Sequence, residues 1–309
     1  MPASSVPEPL AGLSPPVGVL NVNKPCSMTS RDVVDVVQRL SGTRRCGHAG
    51  TLDPLATGVL LVAVGSATRL VEYLQRLPKT YRARFQLGVT SDTEDAEGVT
   101  VPIPDARRPS VEEIQGAIPQ FIGDILQTPP QFSALKVNGR RAYALARRGQ
   151  LVELTARPIH VDALDLLDYQ YPWLDLRIRC GAGTYIRSLG RDLAVACGTG
   201  AVMTELTREA IGSFTASDAI TLPRLETDGI AKHLHPLASA VEALPQWTLS
   251  VDQLRELGHG RFIDIALETS GEVAAIAPDG ELAAIIQRRE DGRWGAAKFL
   301  GSRPEPLNP

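Results

Sequence analysis

The order of predicted elements favours a mixed body of the α/β or α+β class, followed by a small β-rich appendage. The continuous apolar run at 58–64 is typical of a strand buried on both faces. Residues 81–89 alternate between apolar and polar side chains, as in a strand buried on one face. Helical segments lie between such strands. From about Trp247 the apolar segments are short and are separated by glycine and proline, so a domain boundary is predicted near Pro245.

The first predicted elements surround a loop that contains glycine. Residues 18–23 (GVLNVN) form a short apolar run that predicts a buried strand. Ser30 is placed to cap the helix that follows, in which valines recur on one face. Residues 47–57 contain two glycines and a proline, so they are expected to form a loop ahead of the strand at 58–64. Residues 68–77 then predict a helix.

Later elements have clearer start and end signals. Ser110 and Glu113 form a capping box, which predicts the start of a helix. Residues 141–148 predict a short helix with a glycine placed to end it. Residues 174–178 alternate as in a strand, and 184–197 predict a helix that ends before another glycine.

Length and composition indicate a globular protein with two domains. The chain has 309 residues, of which 43% are hydrophobic and 22% are charged. We expect a disordered proline-rich tail at 1–16, a main domain at 17–245 and a small domain at 246–309. The longest apolar run is far shorter than the roughly 20 residues that cross a bilayer, and the tail lacks the basic start of a secretory signal. A cytoplasmic location is therefore expected. The four cysteines form no CxxC pair, so neither a zinc site nor a disulfide framework is predicted.

The distribution of charge permits nucleic-acid binding although the total does not suggest it. The net charge is −3, but basic residues without nearby acids recur at 76–84, 136–148 and 177–191. A phosphate-binding face needs local positive potential rather than a positive total. The alternative is that each run is an ordinary solvated face.

Asp53 is the first candidate for chemistry. It lies in GHAGTLDPLATGV (47–59), between Leu52 and Pro54 and ahead of the apolar strand. A carboxylate in such a position either caps a turn by bonding neighbouring N–H groups or meets a specific partner. The residues of the loop alone leave both interpretations open.

The loop closely resembles the signature loop of the bacterial tRNA pseudouridine-55 synthases, the TruB family. Several other segments resemble the family's blocks in the same order, over about two-thirds of the chain, and an ordered series is more specific than one motif. These segments are KP at 24–25 with MTS at 28–30, KTY at 79–81, SDTED at 91–95, SALK at 133–136 and GTYIR at 183–187. The resemblance implies an α+β fold: a mixed, largely antiparallel sheet flanked by helices, plus a small β-rich PUA-like C-terminal domain.

The resemblance also implies catalytic roles. Asp53 corresponds to the catalytic aspartate, Arg187 is expected to pair with it, and Tyr81 is expected to stack on the target base. Tyr185 and Leu206 are expected to pack in the same pocket.

Three further residues are implied to assist substrate binding. Asp92 is expected to hydrogen-bond near the uracil. His48 is expected to enter the RNA loop and help to displace the nucleotide. Lys24 is expected to support the active-site loop. The chain departs from the family pattern at Ser27, Ser91 and Thr207, and the last of these removes one basic residue.

The implied reaction isomerises uridine 55 in the T-loop of tRNA to pseudouridine, by base flipping and aspartate catalysis. One N1–C1′ bond breaks and one C5–C1′ bond forms within the nucleotide, without net oxidation, so no cofactor is expected. The expected partner is tRNA alone, and the protein is expected to be a monomer. Two alternatives are a non-catalytic tRNA-folding chaperone that binds through the same pocket and an N-glycosidase that releases uracil.

Overall fold

The computed structural model describes residues 16–133, 136–137, 140–141 and 154–301. The tail expected at 1–16 therefore lies outside the described residues, apart from its last position. The short helix expected at 141–148 also lies outside them, except for its first residue, Arg141, which belongs to a short strand instead. The side chains of the basic run at 136–148 lie outside them as well.

A mixed sheet of eleven strands forms the main body. All neighbouring strands in it are antiparallel except β1 with β14 and β3 with β12. The strand order is β14-β1-β3-β12-β4-β11-β10-β7, with β2 on β3, β13 on β12 and β15 on β1. The strands of this body, with two small hairpins (β5–β6 and β8–β9), are β1 (Gly18–Lys24), β2 (Cys46–His48), β3 (Thr57–Val64), β4 (Lys79–Leu87), β5 (Val89–Ser91), β6 (Thr100–Pro102), β7 (Gly123–Gln127), β8 (Lys136–Val137), β9 (Arg140–Arg141), β10 (Arg157–Gln170), β11 (Trp173–Cys180), β12 (Ala201–Ile211), β13 (Phe214–Thr215), β14 (Ile220–Thr221) and β15 (Leu234–His235).

The helices are short and flank the sheet. None within the described part of the chain is long and apolar enough to span a membrane. They are α1 (Ser30–Ser41), α2 (Val71–Arg76), α3 (Val111–Ala117), α4 (Ile186–Ala196), α5 (Leu222–Asp228) and α6 (Val251–Gly258). The helix predicted at 68–77 is a 3₁₀ turn, Gly65–Leu70, that continues into α2.

The strands of the centre follow the predicted patterns. Seven consecutive residues of β3 are buried, as the continuous apolar run predicted. In β4 the buried positions alternate with more exposed ones, as the alternation at 81–89 predicted. The fold class predicted with the help of the family resemblance is thus confirmed: the sheet is mixed and largely antiparallel, and a separate small sheet follows it.

Two local predictions were wrong in detail near the start of the chain. Thr29, not Ser30, caps α1, and it forms a capping box with Asp32. The segment 47–57 is not entirely a loop, because Cys46–His48 pairs with β3 as the short strand β2.

The C-terminal domain contains a four-stranded sheet and one helix, α6. Its strands are β16 (Gln246–Thr248), β17 (Val273–Ile276), β18 (Leu282–Arg288) and β19 (Trp294–Phe299). Ala274, Leu282 and Ile285 belong to the same buried cluster as Leu70 and Leu74 of the body. Separation of the two domains would expose this shared apolar core to water, which is unfavourable. The small sheet is therefore packed against α2 and the turn before it.

Helix α4 lies close to the sheet because residue 190 is a glycine. A Cβ atom built on Gly190 would lie 2.0 Å from the ring of Phe85 on β4. Both residues are buried, so neither could move into solvent to relieve the contact. Gly190 therefore sets the distance between the sheet and the helix that carries Arg187.

We expect Gly190→Ala to destabilise the protein by about 1–3 kcal/mol, because an overpacked core must shift backbone or side chains. Gly116→Ala in α3 is the matched control, since its Cβ would meet nothing within 4 Å. That substitution should stabilise the helix by up to about 1 kcal/mol, the usual difference between alanine and glycine. Urea unfolding of both variants measures the effect. Equal stability changes in the two variants would contradict this account of the helix spacing.

Candidate active site

Asp53 lies in a loop that is anchored immediately before and after it. On the preceding side, the Ser30 hydroxyl accepts a hydrogen bond from Leu52 N (2.9 Å) and donates one to Leu52 O (3.2 Å). On the following side, Pro54 O accepts from Ser27 N (2.9 Å). Ser30 thus joins the start of α1 to the Asp53 loop, so the residue predicted as a helix cap has a different role.

Lys24 is the second anchor of this loop. Its side chain is fully buried, and its ammonium donates to Pro25 O (2.9 Å), Met28 O (2.6 Å) and Pro54 O (3.1 Å). Burial lowers the pKa of Lys24, while the nearby Asp53 carboxylate raises it. The geometry agrees with the predicted supporting role, because the ammonium holds the carbonyl directly after Asp53.

Arg187 forms a two-point contact with Asp53. Its Nε lies 3.1 Å from Asp53 Oδ2, and its Nη2 donates to Asp53 Oδ1 at 3.2 Å. The Asp53 side chain keeps 31% of its surface exposed, whereas that of Arg187 keeps only 6%. The Asp53 carboxylate is therefore partly open to solvent, whereas the guanidinium that binds it is enclosed. The predicted pairing of these two residues is present.

A second carboxylate, that of Asp95, binds the same guanidinium. Arg187 Nη1 lies 3.2 Å from Asp95 Oδ2, and Asp95 is buried. Arg187 also donates to Thr93 O (2.7 Å) and to Phe132 O (3.0 Å). Asp95 had been given no role from the sequence, although it lies in the acidic turn that resembles the family block.

Burial and charge act on Asp53 in opposite directions. Burial raises the pKa of Asp53 because the ionised form loses hydration, and the neighbouring Asp95 raises it further. Arg187 and Lys24 lower it through their positive charges. The net result is a pKa above the ordinary value for an aspartate. Asp53 is thus a carboxylate that is costly to ionise and depends on its cationic neighbours.

Tyr81 and Leu206 lie in the apolar cluster beside the catalytic loop. Both are buried, and Leu52 and Ile186 belong to the same cluster. Leu206 on β12 pairs with the residue two positions after Tyr81 on β4. The structure thus places a flat aromatic ring and an aliphatic side chain near the loop that carries Asp53, as predicted.

Arg208 connects this cluster to the loop. It is buried, and its Nε donates to Val59 O (2.7 Å) while Nη2 donates to Gly50 O (3.2 Å). Burial raises the pKa of the Tyr81 phenol, and a hydrogen bond from Arg208 lowers it. Arg208 is the register partner of Tyr81 on β4 and of Gly58 on β3. One side chain of the central strand β12 therefore contacts both neighbouring strands and the loop.

Tyr185 stands at the N-terminus of α4. Its backbone exchanges two hydrogen bonds with the buried Gln127 side chain, N to Oε1 (2.8 Å) and O from Nε2 (3.0 Å). The Arg157 guanidinium lies over its ring at 5.1 Å from the centroid. Gln127 thus fixes the start of the helix that presents Arg187.

The structure places His48 on a strand and Asp92 in the acidic turn. His48 is on β2, opposite Val62, and is partly buried. Asp92 is exposed, and its Oδ1 accepts from Val99 N (3.1 Å), which closes the acidic turn. The predicted RNA and uracil contacts of these two residues stay predictions.

Some of the basic residues in the runs at 76–84 and 177–191 form ion pairs with acidic side chains. Arg84 makes a two-point contact with the buried Asp175 (2.7 and 2.8 Å), and Arg177 pairs with Glu209 (2.9 Å). Because Arg84 alternates with buried residues of β4, it lies on the face of the sheet opposite Tyr81. These pairs favour the interpretation that this part of the runs is a solvated face.

No group of three or more His, Cys, Asp or Glu side chains among the described residues is arranged to hold a metal ion. The charged groups gathered around Asp53 are the Arg187 guanidinium, the Asp95 carboxylate and the Lys24 ammonium.

Two family models match the chain. The N-terminal domain of the TruB family pseudouridylate synthases matches residues 38–186, and the C-terminal domain of tRNA pseudouridine synthase II matches residues 244–297. The first match contains Asp53, Tyr81 and Asp95, and it ends directly before Arg187. The second match covers most of the small β-rich domain.

Curated relatives align with nearly the whole chain. A tRNA pseudouridine synthase B of Dehalococcoides mccartyi is 41% identical over 297 residues, which are 94% of this chain and 98% of the relative. One of Thermobifida fusca is 42% identical over 298 residues, which are 92% and 99% of the two chains.

Solved structures share the fold. The structure of an H/ACA RNP bound to a substrate RNA containing 2′-deoxyuridine matches with a TM-score of 0.70 and 26% identity, over 93% of this chain and 86% of that chain. A Cbf5-Nop10-Gar1 complex matches with a TM-score of 0.69 and 27% identity, over 92% and 84%.

We expect Asp53→Asn to stabilise the folded protein relative to the native sequence, increasingly so as the pH rises. The folded-state pKa of Asp53 is raised, so the native fold binds its proton more tightly than the unfolded chain does. The native protein therefore loses stability from the ordinary aspartate pKa, about 3.9, up through the folded value. Asparagine does not titrate and escapes this loss. Urea unfolding of both proteins from about pH 4.5 to about pH 8.5 measures the difference in stability. If the stability of the native protein rose relative to that of the variant with rising pH, the stated balance of burial and charge at Asp53 would be contradicted.

Proposed function

The chain belongs to the TruB family of pseudouridylate synthases, and we propose that it isomerises uridine 55 in the T-loop of tRNA to pseudouridine. The observation that carries the proposal is the Asp53 carboxylate, which stays partly exposed while Arg187 holds it at two points. The names of the relatives support tRNA as the substrate. The resemblance of the loop at 47–60 to the pseudouridine-55 synthases supports the choice of uridine.

Asp53 is the proposed reacting group. The reaction breaks N1–C1′ and forms C5–C1′ within one nucleotide, so atoms are conserved and no redox partner is needed. An ionised carboxylate next to the ribose–base junction can act as a nucleophile on sugar or base, or as a base toward the ribose. Arg187 opposes the protonation that burial favours, and it also fixes the direction of the two carboxylate oxygens.

Tyr81 is the proposed stacking surface for the flipped base. A uracil inside an RNA loop is stacked and cannot reach a recessed carboxylate, so the nucleotide must leave the loop. A flat aromatic ring replaces the lost stacking, which is worth roughly 1–3 kcal/mol per base. In this proposal Leu206 and Tyr185 line the pocket, Asp92 contacts the region of the uracil, and His48 enters the RNA loop.

The proposed substrate complex consists of this chain and tRNA without a further protein. The matched solved structures are RNP and multiprotein complexes, whereas the curated relatives align over nearly their whole length with this chain. Lys24 and Arg208 hold the catalytic loop from within the chain. We therefore propose a monomer that acts in the cytoplasm on free tRNA.

We expect Asp53→Asn to lower pseudouridine formation at position 55 by at least about 10³-fold, since the reacting carboxylate is lost. Binding of tRNA should remain, because the amide is nearly isosteric and Arg187 retains its other partners. The measurement compares both proteins on an unmodified transcript, with a transcript carrying cytidine at position 55 as the substrate control.

Full activity of Asp53→Asn would contradict the mechanism. Binding and refolding of tRNA by the native protein without any pseudouridine would support a tRNA-folding chaperone instead. Release of free uracil would indicate an N-glycosidase, and pseudouridine in the cytidine transcript would place the target at another uridine.

We expect Tyr81→Leu to lower kcat/KM by about 10- to 100-fold, because the base loses its stacking partner. Tyr81→Phe keeps the ring and loses only the hydroxyl, so its kcat/KM should fall less. Single-turnover rates of the two variants on the same transcript measure the difference. Equal losses would mean that the hydroxyl, rather than the ring, is what the reaction needs.

A further inference from the structure

Two consecutive acids of the turn at 91–98 are bound by two arginines one helical turn apart on α4. Asp95 pairs with Arg187, as described above. Glu94 Oε1 pairs closely with Nη1 of Arg191, and its Oε2 accepts from the Ser188 hydroxyl at 2.9 Å. Since residues four apart lie on the same face of a helix, Arg187 and Arg191 present one continuous surface to the turn.

The backbone at Glu94 is what brings both acids to that surface. Side chains of consecutive residues in an extended chain point in opposite directions. Glu94 instead has φ +63°, a left-handed conformation that is costly for a residue with a side chain. The turn is then held to the sheet, because Met203 N donates to Glu94 O (3.1 Å) and Ala96 N donates to Met203 O (2.9 Å). A strained conformation held on both sides indicates that the placement of these acids matters.

The same two arginines also hold a second segment. Arg191 Nη2 donates to Thr128 O (3.3 Å), and Arg187 Nη2 donates to Phe132 O (3.0 Å). Helix α4 therefore joins the acidic turn, the segment 128–132 and the Asp53 loop. Loss of the outer arginine would leave Arg187, the arginine that binds Asp53, as the one arginine of α4 that contacts both the turn and the segment.

The Glu94–Arg191 pair is not an ordinary surface ion pair. The Glu94 side chain is 14% exposed and that of Arg191 is 29% exposed. Exposed ion pairs contribute little, whereas loss of one partner from a mostly buried pair is costly. Arg191 also pairs with Asp192 at 2.8 Å, so the two carboxylates share its charge. Burial raises the pKa of Glu94 and Arg191 lowers it, so the carboxylate depends on this partner.

We propose that Glu94 is a positioning residue for the reaction: by holding Arg191 and Ser188, it fixes α4 against the acidic turn and so sets the position of Arg187 on Asp53. This inference rests on the proposed function. The Glu94 carboxylate binds Arg191 and Ser188 rather than Asp53, so Glu94 acts through the orientation of the Arg187 guanidinium, which contacts both Asp53 and Asp95.

The test is Glu94→Gln, which keeps the size of the side chain and removes its charge. We expect kcat for pseudouridine formation to fall by about tenfold or more, because small displacements of a catalytic group are costly. KM for tRNA should change by less than about threefold, as no substrate contact is lost. The acid limb of the kcat profile should move to higher pH, since a displaced Arg187 favours ionised Asp53 less. Asp53 also faces Asp95, Lys24 and Glu97, and the substitution leaves these groups unchanged.

The matched control is Glu209→Gln. Glu209 also pairs with an arginine, Arg177 (2.9 Å), which is neither of the two arginines on α4. It should leave kcat and the acid limb unchanged. Arg191→Gln and the double variant complete a double-mutant cycle, in which the two single effects should not add, because both remove the same ion pair.

Four outcomes are distinguishable. An inactive native protein would remove the proposed function itself. An active native protein whose Glu94→Gln variant keeps both kcat and the acid limb would overturn the positioning role. A lower kcat with an unmoved acid limb, together with a lower unfolding midpoint in urea, would indicate a merely structural role and would also overturn it. A lower kcat, a shifted acid limb and non-additive single effects would support it.

Discussion

The contact on which the site depends is the buried guanidinium of Arg187. A charge removed from water must be compensated by nearby partners, or the folded state bears the cost. Arg187 obtains two carboxylates, Asp53 and Asp95, and two carbonyls, those of Thr93 and Phe132. These partners come from three separate segments of the chain. The need to compensate one charge thus brings the catalytic loop, the acidic turn and the segment at 128–132 to a single point.

The catalytic loop is held by cations whose partners are mainly backbone carbonyls. Lys24 binds the carbonyl of Pro54, and Arg208 binds those of Gly50 and Val59. Carbonyls compensate a cation without consuming a carboxylate. Asp53 remains partly exposed, although burial makes its ionised form costly. Such a carboxylate reduces stability at neutral pH, as groups kept for function commonly do.

The sequence predicted those parts of the fold that follow from local patterns. The burial of β3 and β4 followed from their apolar periods, and the capping box at Ser110 was observed as predicted. The central strand β12 was missed because its pattern is mixed: buried Arg208 and partly exposed neighbours interrupt the alternation. Its position between β3 and β4 depends on long-range pairing, which no local pattern reports.

The sequence likewise predicted only part of the site. The pairing of Arg187 with Asp53 followed from the family resemblance, and the structure contains it. Asp95 and Glu94 were missed because their importance depends on the left-handed backbone at Glu94, which turns both side chains toward α4. Composition gives no sign of that conformation, since glycine or asparagine is the usual signal for it. The anchors at Ser30 and Gln127 were missed for a different reason: their hydrogen-bond partners are distant in sequence.

Arg187 opposes the protonation of Asp53 that burial favours. The most direct measurement is a carbon-13 NMR titration of the Asp53 carboxyl, assigned by its absence in Asp53→Asn and compared between the native protein and Arg187→Gln. Loss of the guanidinium charge removes the strongest opposition to the effect of burial, so the pKa of Asp53 should be higher in Arg187→Gln than in the native protein. An equal or lower pKa in the variant would contradict the account.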